Sequence, residues 1–251
     1  MRKTTMSIGI VIIVMMSLLV QNVHSDIYMK TKTHNEPVTI MGQTQPAETV
    51  VNESWLTDDK MAVINKKQTI FTDFGKNIVT IANHEKKILM SMPMNFSDIA
   101  DRKSADMSAE DKEGFKQMMG KMMQMDIKVT VTNEKKKIGK WNCRKYIQTM
   151  NMGVGKMTSE IWATKDIKMD LELYARFSAG MMAQMPGISQ NMEKILKELK
   201  KIEGVHVLTK QSMDMMGQVI KTSTTLLDFK QAKAPAKVFK LPAYKKQDMF
   251  R

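Results

Sequence analysis

The stretch Ile127-Lys128-Val129-Thr130-Val131-Thr132 alternates apolar and polar side chains without a break. A period of two residues is typical of a β-strand that buries one face and exposes the other. Near the start of the chain, Ile27-Tyr28-Met29-Lys30-Thr31-Lys32-Thr33 alternates in the same way. These two stretches predict a sheet to which distant parts of the chain contribute.

Short strand-like runs fill the chain between and after these two stretches, separated by clusters of Gly, Asn, Asp and Lys. Connections of only a few residues favour antiparallel neighbours, because a parallel pair needs a crossover of about a dozen residues. The predicted strands are Thr49–Thr57, Met61–Ile64, Thr69–Phe74, Ile78–Ala82, Lys87–Met92, Lys140–Met150, Lys156–Thr164, Val205–Asp214 and Gln218–Lys230.

Two segments change to helical periodicity. Residues 108–124 carry apolar side chains at helical spacing, with Ser108 as the candidate N-cap. Residues 170–202 form a second helical insertion, interrupted by Pro186-Gly187. The apolar stripes of the two insertions contain Phe115, Met118, Met119, Met122 and Met125 in the first and Met181, Met182 and Met185 in the second.

These patterns predict a mainly β protein. We expect one domain over residues 26–230, built as a curved antiparallel sheet that forms an open or half barrel, with amphipathic helices on its concave face. Residues 231–251 form a basic C-terminal tail, which we expect to lie on the surface without regular structure.

The N-terminus has the features of an export signal. Arg2 and Lys3 precede an apolar run over residues 7–20, and Val23-His24-Ser25 resembles a cleavage site. The run is shorter than the roughly 20 residues needed to span a bilayer as a helix. We therefore expect cleavage near Ser25 and a periplasmic or extracellular protein.

The chain is basic, with a formal net charge of +13. Basic side chains are concentrated in 230–251 and near Lys135-Lys136-Lys137. Export argues against nucleic acid as a partner, whereas an anionic membrane surface or an acidic protein suits this charge. The alternative is a solvated basic surface that only aids solubility.

No motif in the chain identifies a reaction. His34, His84 and His206 are far apart, and the sequence has no zinc-binding H-E-x-x-H, nucleophile elbow or phosphate-binding loop. Cys143, the only cysteine, alternates with Trp141 on a predicted strand, which favours a buried thiol. We expect no enzymatic activity, no cofactor and no assigned metal site.

The 28 methionines are the chemically distinctive feature of the composition. They could be core filler, an adaptable wall for an apolar or lipid-like ligand, or thioether ligands for a soft metal such as Cu(I). The candidate ligand-binding residues are Phe115, Met118, Met119, Met122, Met125, Met181, Met182 and Met185. The candidate Cu(I) ligands are Met118, Met119, Met122 and Met123.

Two segments share the pattern Glu-x-Trp-x-Thr-x-Asp. They begin at Glu53 and at Glu160, and each predicts a strand that ends in an acidic turn. Ancient duplication and shared strand-end chemistry both explain the pattern, and the second explanation is the simpler one.

Three stretches carry a family resemblance: Lys137-Ile138-Gly139-Lys140-Trp141-Asn142-Cys143-Arg144-Lys145-Tyr146, Glu160-Ile161-Trp162-Ala163-Thr164-Lys165-Asp166-Ile167 and Lys201-Ile202-Glu203-Gly204-Val205-His206-Val207-Leu208. They resemble an uncharacterised family of exported bacterial proteins, catalogued as a domain of unknown function. The order of strands and helices is also similar to the LolA/LolB-type periplasmic carriers. That resemblance implies a half-barrel around an apolar cavity and a non-enzymatic carrier for a lipid-like ligand. Soft-metal binding and a protein-interaction module are the alternatives.

Overall fold

The structure is a computed structural model that describes residues 26–40, 43–94, 108, 110, 111, 113–115, 117, 125–152, 155–168, 174, 192–215 and 217–248. Within these residues strand is far more common than helix, as the alternating sequence patterns predict. The described strands are β1 (Ile27–Asn35), β2 (Val38–Ile40), β3 (Gln43–Gln45), β4 (Glu48–Leu56), β5 (Lys60–Ile64), β6 (Gln68–Asp73), β7 (Ile78–Asn83), β8 (Ile88–Pro93), β9 (Met125–Ile138), β10 (Trp141–Met152), β11 (Gly155–Thr164), β12 (Val205–Met215), β13 (Gln218–Gln231) and β14 (Lys245–Asp248).

Twelve of the described strands form one sheet in the order β14-β8-β7-β6-β5-β4-β1-β13-β12-β11-β10-β9. Neighbours are antiparallel as predicted, except that β14 runs parallel to β8. β1 joins two parts of this sheet, which we call the N-terminal half (β4 to β8) and the C-terminal half (β9 to β13). β2 and β3 form a separate hairpin in a region where the sequence analysis predicted no strand.

The N-terminal half consists of short hairpins with side-chain caps at their turns. The Asn65 side-chain oxygen accepts the backbone N–H groups of Lys67 and Gln68, both at 2.9 Å. Asp73 and Asn83 cap the next two turns in the same way. Asn and Asp favour such turns because their short side chains replace a backbone acceptor, which explains why the sequence located these hairpins correctly.

Strands in the C-terminal half are longer and are covered on one face by helix α1 (Met192–Leu199). Ile195 and Leu199 of this helix pack against buried residues of β9, β10 and β11, including Ile127 and Tyr146. Val131 continues the alternation of β9 but is 44% exposed. The alternating pattern therefore predicts the strand, whereas the short helix decides which apolar positions are buried.

The helical insertions are described only in part. Residues 110, 111, 113–115 and 117 are helical, and the Ser108 hydroxyl oxygen accepts the Asp111 N–H at 3.2 Å, which confirms the predicted N-cap. Met125 is the first residue of β9 and pairs with Met152, so its placement in the helical stripe was wrong. In the second insertion, Tyr174 is helical and α1 ends at Leu199, before the predicted limit of 202.

The C-terminal segment has regular structure, contrary to the prediction. A short 3₁₀ helix spans Ala236–Phe239, and β14 then pairs with the edge strand β8. The Asp26 side chain accepts the Ala234 N–H at 2.7 Å, and the Tyr244 hydroxyl lies 3.2 Å from Nδ1 of His84. An edge strand has unpaired backbone groups, and this segment supplies partners for them that sequence periodicity could not reveal.

Candidate functional site

A cavity of about 460 Å³ is lined by residues of the sheet and by Leu199 of α1. We call it the central cavity. Its volume falls within the range of about 300–1,000 Å³ typical of small-molecule sites. Six strands contribute to its lining, together with Tyr174. The lining residues are Met29, Thr31, Thr33, Asn52, Ser54, Gln148, Met150, Met157, Ser159, Ile161, Tyr174, Leu199, His206, Thr209, Gln211, Thr224 and Leu226.

The strand register arranges the floor of the central cavity in rows. Met150 of β10 lies directly opposite Met157 of β11. One step along the sheet, Gln148 is opposite Ser159, and Ser159 is opposite Gln211 of β12. An apolar row of thioethers therefore runs beside a row of neutral polar side chains.

The polar groups of the floor are largely bonded to one another. The hydroxyl oxygens of Thr33 and Thr224 are 3.0 Å apart, and the Gln211 amide donates to Ser159 at 3.4 Å. The Gln148 amide donates to the Met150 sulfur at 3.2 Å. Because a buried polar group is costly only when it is unpaired, this floor can contact an apolar ligand without a desolvation penalty.

His206 and Tyr174 form one wall of the central cavity. Their rings meet edge to face, with centroids 5.3 Å apart, and the Tyr174 hydroxyl accepts the His206 backbone N–H at 2.9 Å. Burial of the ring lowers the pKa of His206 to about 4, because the charged form loses its hydration. His206 is therefore neutral at physiological pH, and the central cavity has no charged side chain among its lining residues.

The ligand-binding residues predicted from the sequence are mostly not described. Met118, Met119, Met122, Met181, Met182 and Met185 lie outside the described residues, as does the Cu(I) candidate Met123. Phe115 is helical and half-buried, and it is not among the lining residues of the central cavity. Of Met125 only the backbone, in β9, is described.

The sequence analysis missed the residues that line the central cavity. Gln148 lies between Tyr146 and Met150 on one strand face, and Ser159 lies between Met157 and Ile161. A neutral polar residue in the middle of an apolar face, repeated on neighbouring strands, is the signal that could have located them. This signal can be recognised only when the strand register is known, and no local sequence pattern supplies the register.

Cys143 is 3% exposed and lies in β10, as the sequence predicts. Burial raises the pKa of its thiol, with a further contribution from the negative charge of Asp166. A raised pKa reduces the thiolate fraction and with it the reactivity. In the described part of the chain, no group of three or more His, Cys, Asp or Glu side chains is arranged to hold a metal ion.

Comparisons with known proteins assign no family. No protein-family model matches the chain, and no curated protein matches it. One of the solved structures that match is that of PNGF-II in the C2 space group, which is 13% identical with a TM-score of 0.35. The alignment covers 88% of this chain and 31% of that one, so the chain spans less than a third of that structure. Similarity at this level supports no assignment of function.

Among the described residues, no helix is both long and apolar enough to cross a membrane.

Proposed function

We propose that this protein is an exported, non-enzymatic binding protein of the bacterial cell envelope that holds an apolar or lipid-like ligand in the central cavity. The observation that carries the proposal is the uncharged lining of this cavity, in which neutral polar groups satisfy one another. A ligand without charge or many hydrogen-bonding groups loses least hydration on entering such a site. The export signal predicted at residues 1–25 accounts for the location.

The methionines of the floor support an adaptable site. Met29, Met150 and Met157 line the central cavity, and their unbranched side chains can repack around chains of different length. We further propose that the sheet curves around this cavity and that the helical insertions cover it. In that arrangement the Met-rich stripes predicted from the sequence would complete the wall.

The lowered pKa of His206 favours binding over catalysis as the function of the central cavity. A general base works best with a pKa near the working pH, and the pKa of His206 is lowered to about 4. Its ring packs against Tyr174, so it serves as a wall of the site.

The basic C-terminal residues would bring the protein to an anionic membrane surface or to an acidic partner.

The first test is mass spectrometry of the purified protein under native conditions. We expect a co-purified lipid or other apolar molecule. Copper in its place would favour the soft-metal alternative and contradict the proposal.

The second test fills the central cavity. Thr224 lines it, whereas the next residue, Thr225, is not among its lining residues. We expect Thr224→Phe to weaken binding of a fluorescent fatty acid by about tenfold, since the added ring occupies the ligand's volume. Thr225→Phe is the matched control and should bind within about twofold of the parent. Equal affinity of the two variants, with folding confirmed by circular dichroism, would exclude the central cavity as the site.

A further inference from the structure

A second cavity, of about 490 Å³, lies where β9, β10 and β11 meet the loop that follows α1; we call it the basic cleft. Its lining includes Lys135 and Lys137 of β9, Arg144 of β10 and Lys165. Only Asp166 and Glu203 contribute carboxylates to it. The lining therefore carries an excess of positive charge.

Both carboxylates of the basic cleft already have partners. Glu203 pairs with Lys165 at 2.5 Å, and Asp166 accepts the Asn142 backbone N–H at 2.7 Å. Lys135 and Lys137 have no ion-pair partner within the described part of the chain. Two ammonium groups consequently remain available to an anion.

Arg144 is held in place beside these lysines. Its Nε–H donates to the Thr132 carbonyl oxygen at 2.7 Å, and an Nη2 hydrogen is directed to Asn133 at 3.5 Å. A guanidinium has five N–H donors in one plane, so the others are free for a ligand. A bidentate donor in a fixed orientation suits an oxyanion better than a mobile charge does.

Glu203 reaches the basic cleft because of the glycine that follows it. Gly204 has φ of +105°, and a Cβ at this position would lie 2.0 Å from the Thr164 carbonyl oxygen. Only glycine allows this close approach of two backbones. The loop after α1 is thereby brought against the end of β11, which closes one side of the basic cleft.

Tyr146 provides an independent indication of a ligand. It lines the basic cleft and is fully buried, and its hydroxyl has no hydrogen-bond partner within the described residues. Buried hydroxyls nearly always have a partner. Its ring packs in an apolar cluster, but Tyr146 shares the lining of the basic cleft with long cations, and an oxyanion drawn between them would supply the missing acceptor.

We propose that the basic cleft binds the phosphate group of an anionic phospholipid whose apolar part lies in the central cavity. Tyr146 packs in the same buried cluster as Met150, Met157 and Ile161, which line the central cavity. The two cavities therefore adjoin the same buried cluster, and an amphiphile that extends across this cluster would meet cations at one end and an uncharged surface at the other. The assignment of the lipid rests on the proposed function, whereas phosphate binding by the basic cleft does not.

The test uses two soluble probes, inorganic phosphate and dihexanoyl phosphatidylglycerol, with affinities measured by titration calorimetry. The variant Lys135→Gln/Lys137→Gln should bind both probes about tenfold more weakly, because two charge-assisted contacts are lost. Lys66→Gln/Lys86→Gln removes the same charge from exposed hairpin turns and is the matched control. Parent-like affinity of the basic-cleft variant for both probes would overturn the proposal.

Further variants separate this proposal from the proposed function. Thr224→Phe should weaken binding of the phospholipid but not of inorganic phosphate. Phospholipid binding that is unchanged in Thr224→Phe but lost in the lysine variant would support the basic cleft and contradict the central cavity. Tyr146→Phe keeps the ring and should weaken phosphate binding about threefold; parent-like binding would exclude the hydroxyl from the site.

Discussion

The two halves of the sheet contain the same local pattern in different surroundings. In the C-terminal half, Trp162 is 5% exposed, its indole N–H donates to Glu160 at 2.7 Å, and the Lys136 ammonium lies 3.8 Å above its ring. In the N-terminal half, Trp55 is half-buried and packs against Tyr28, with ring centroids 4.9 Å apart. The same Glu-x-Trp-x-Thr-x-Asp pattern therefore forms a buried anchor in one half and a surface contact in the other.

The end of the pattern behaves alike in both halves. The Thr57 hydroxyl accepts the Lys60 N–H at 3.0 Å, and the Thr164 hydroxyl accepts the Asp166 N–H at 3.1 Å. Each threonine thus caps a strand end. Such a cap needs only neighbouring residues, whereas the setting of the tryptophan depends on strands that are distant in sequence. This difference favours shared strand-end chemistry as the explanation of the repeated pattern.

Substitution of the two tryptophans should give the largest difference in stability between the two halves. Trp162→Ala should lower the free energy of unfolding by about 3–5 kcal/mol, the usual cost of truncating a buried aromatic side chain. Trp55→Ala should cost about 1–2 kcal/mol, because part of its surface already contacts water. Urea unfolding followed by circular dichroism measures both. Equal losses would show that the two halves are packed alike.

The buried His206 should make the stability of the protein depend on pH. The pKa of His206 is lowered to about 4 in the folded protein, against an ordinary value of 6.5. The unfolded chain therefore binds the proton more readily, and stability falls as pH drops from 6.5 towards 4. This loss should reach roughly 2 kcal/mol at pH 4.5.

His206→Gln should remove that part of the acid sensitivity. The variant should lose less stability than the parent between pH 6.5 and 4.5. A parent-like slope in His206→Gln, measured by urea unfolding across this range, would contradict the prediction.

Substitution of the two glutamates of the pattern, Glu160 and Glu53, should give the smallest difference in stability between the two halves. The Trp162 N–H and then the Lys145 ammonium lower the pKa of Glu160. Glu160→Gln should cost about 1 kcal/mol at pH 7, and Glu53→Gln, which breaks only an exposed pair with Lys30, less than about 0.5 kcal/mol. A lowered carboxyl pKa stabilises the fold above about pH 4.3 and ceases to do so as pH falls through the folded pKa. The gap between parent and Glu160→Gln should therefore close below about pH 4.

Most of the strands along the chain could be predicted from the sequence, and the exceptions have identifiable causes. Every strand predicted between Thr49 and Lys230 is present within one or two residues of its expected limits, except that β9 continues six residues beyond the predicted end at Thr132, to Ile138. Met125 was assigned to a helix because the helical stripe before it and the strand after it both accept an apolar residue there. β14 escaped prediction because a strand of four residues, Lys-Lys-Gln-Asp, has no alternation to detect.

The candidate sites were less accessible to prediction than the strands. Cys143 was expected in a buried strand and is found there, since its neighbours in sequence also define its surroundings. The central cavity and the basic cleft combine side chains from segments far apart in the chain, such as Thr31 with Thr209 and Lys137 with Lys165. None of these residues is unusual in its own segment.

Alternation and turn chemistry are local, so the sequence alone determined most of the strands, most hairpin turns, the N-cap at Ser108 and the burial of Cys143. Burial of other positions, the pairing of β14 and the rows of the cavity floor depend on register and on packing between distant segments. A shift of one residue in register would turn Gln148 and Met150 to the opposite face of the sheet. Only the tertiary structure specifies that register, because it results from the packing of the whole sheet and its covering helix.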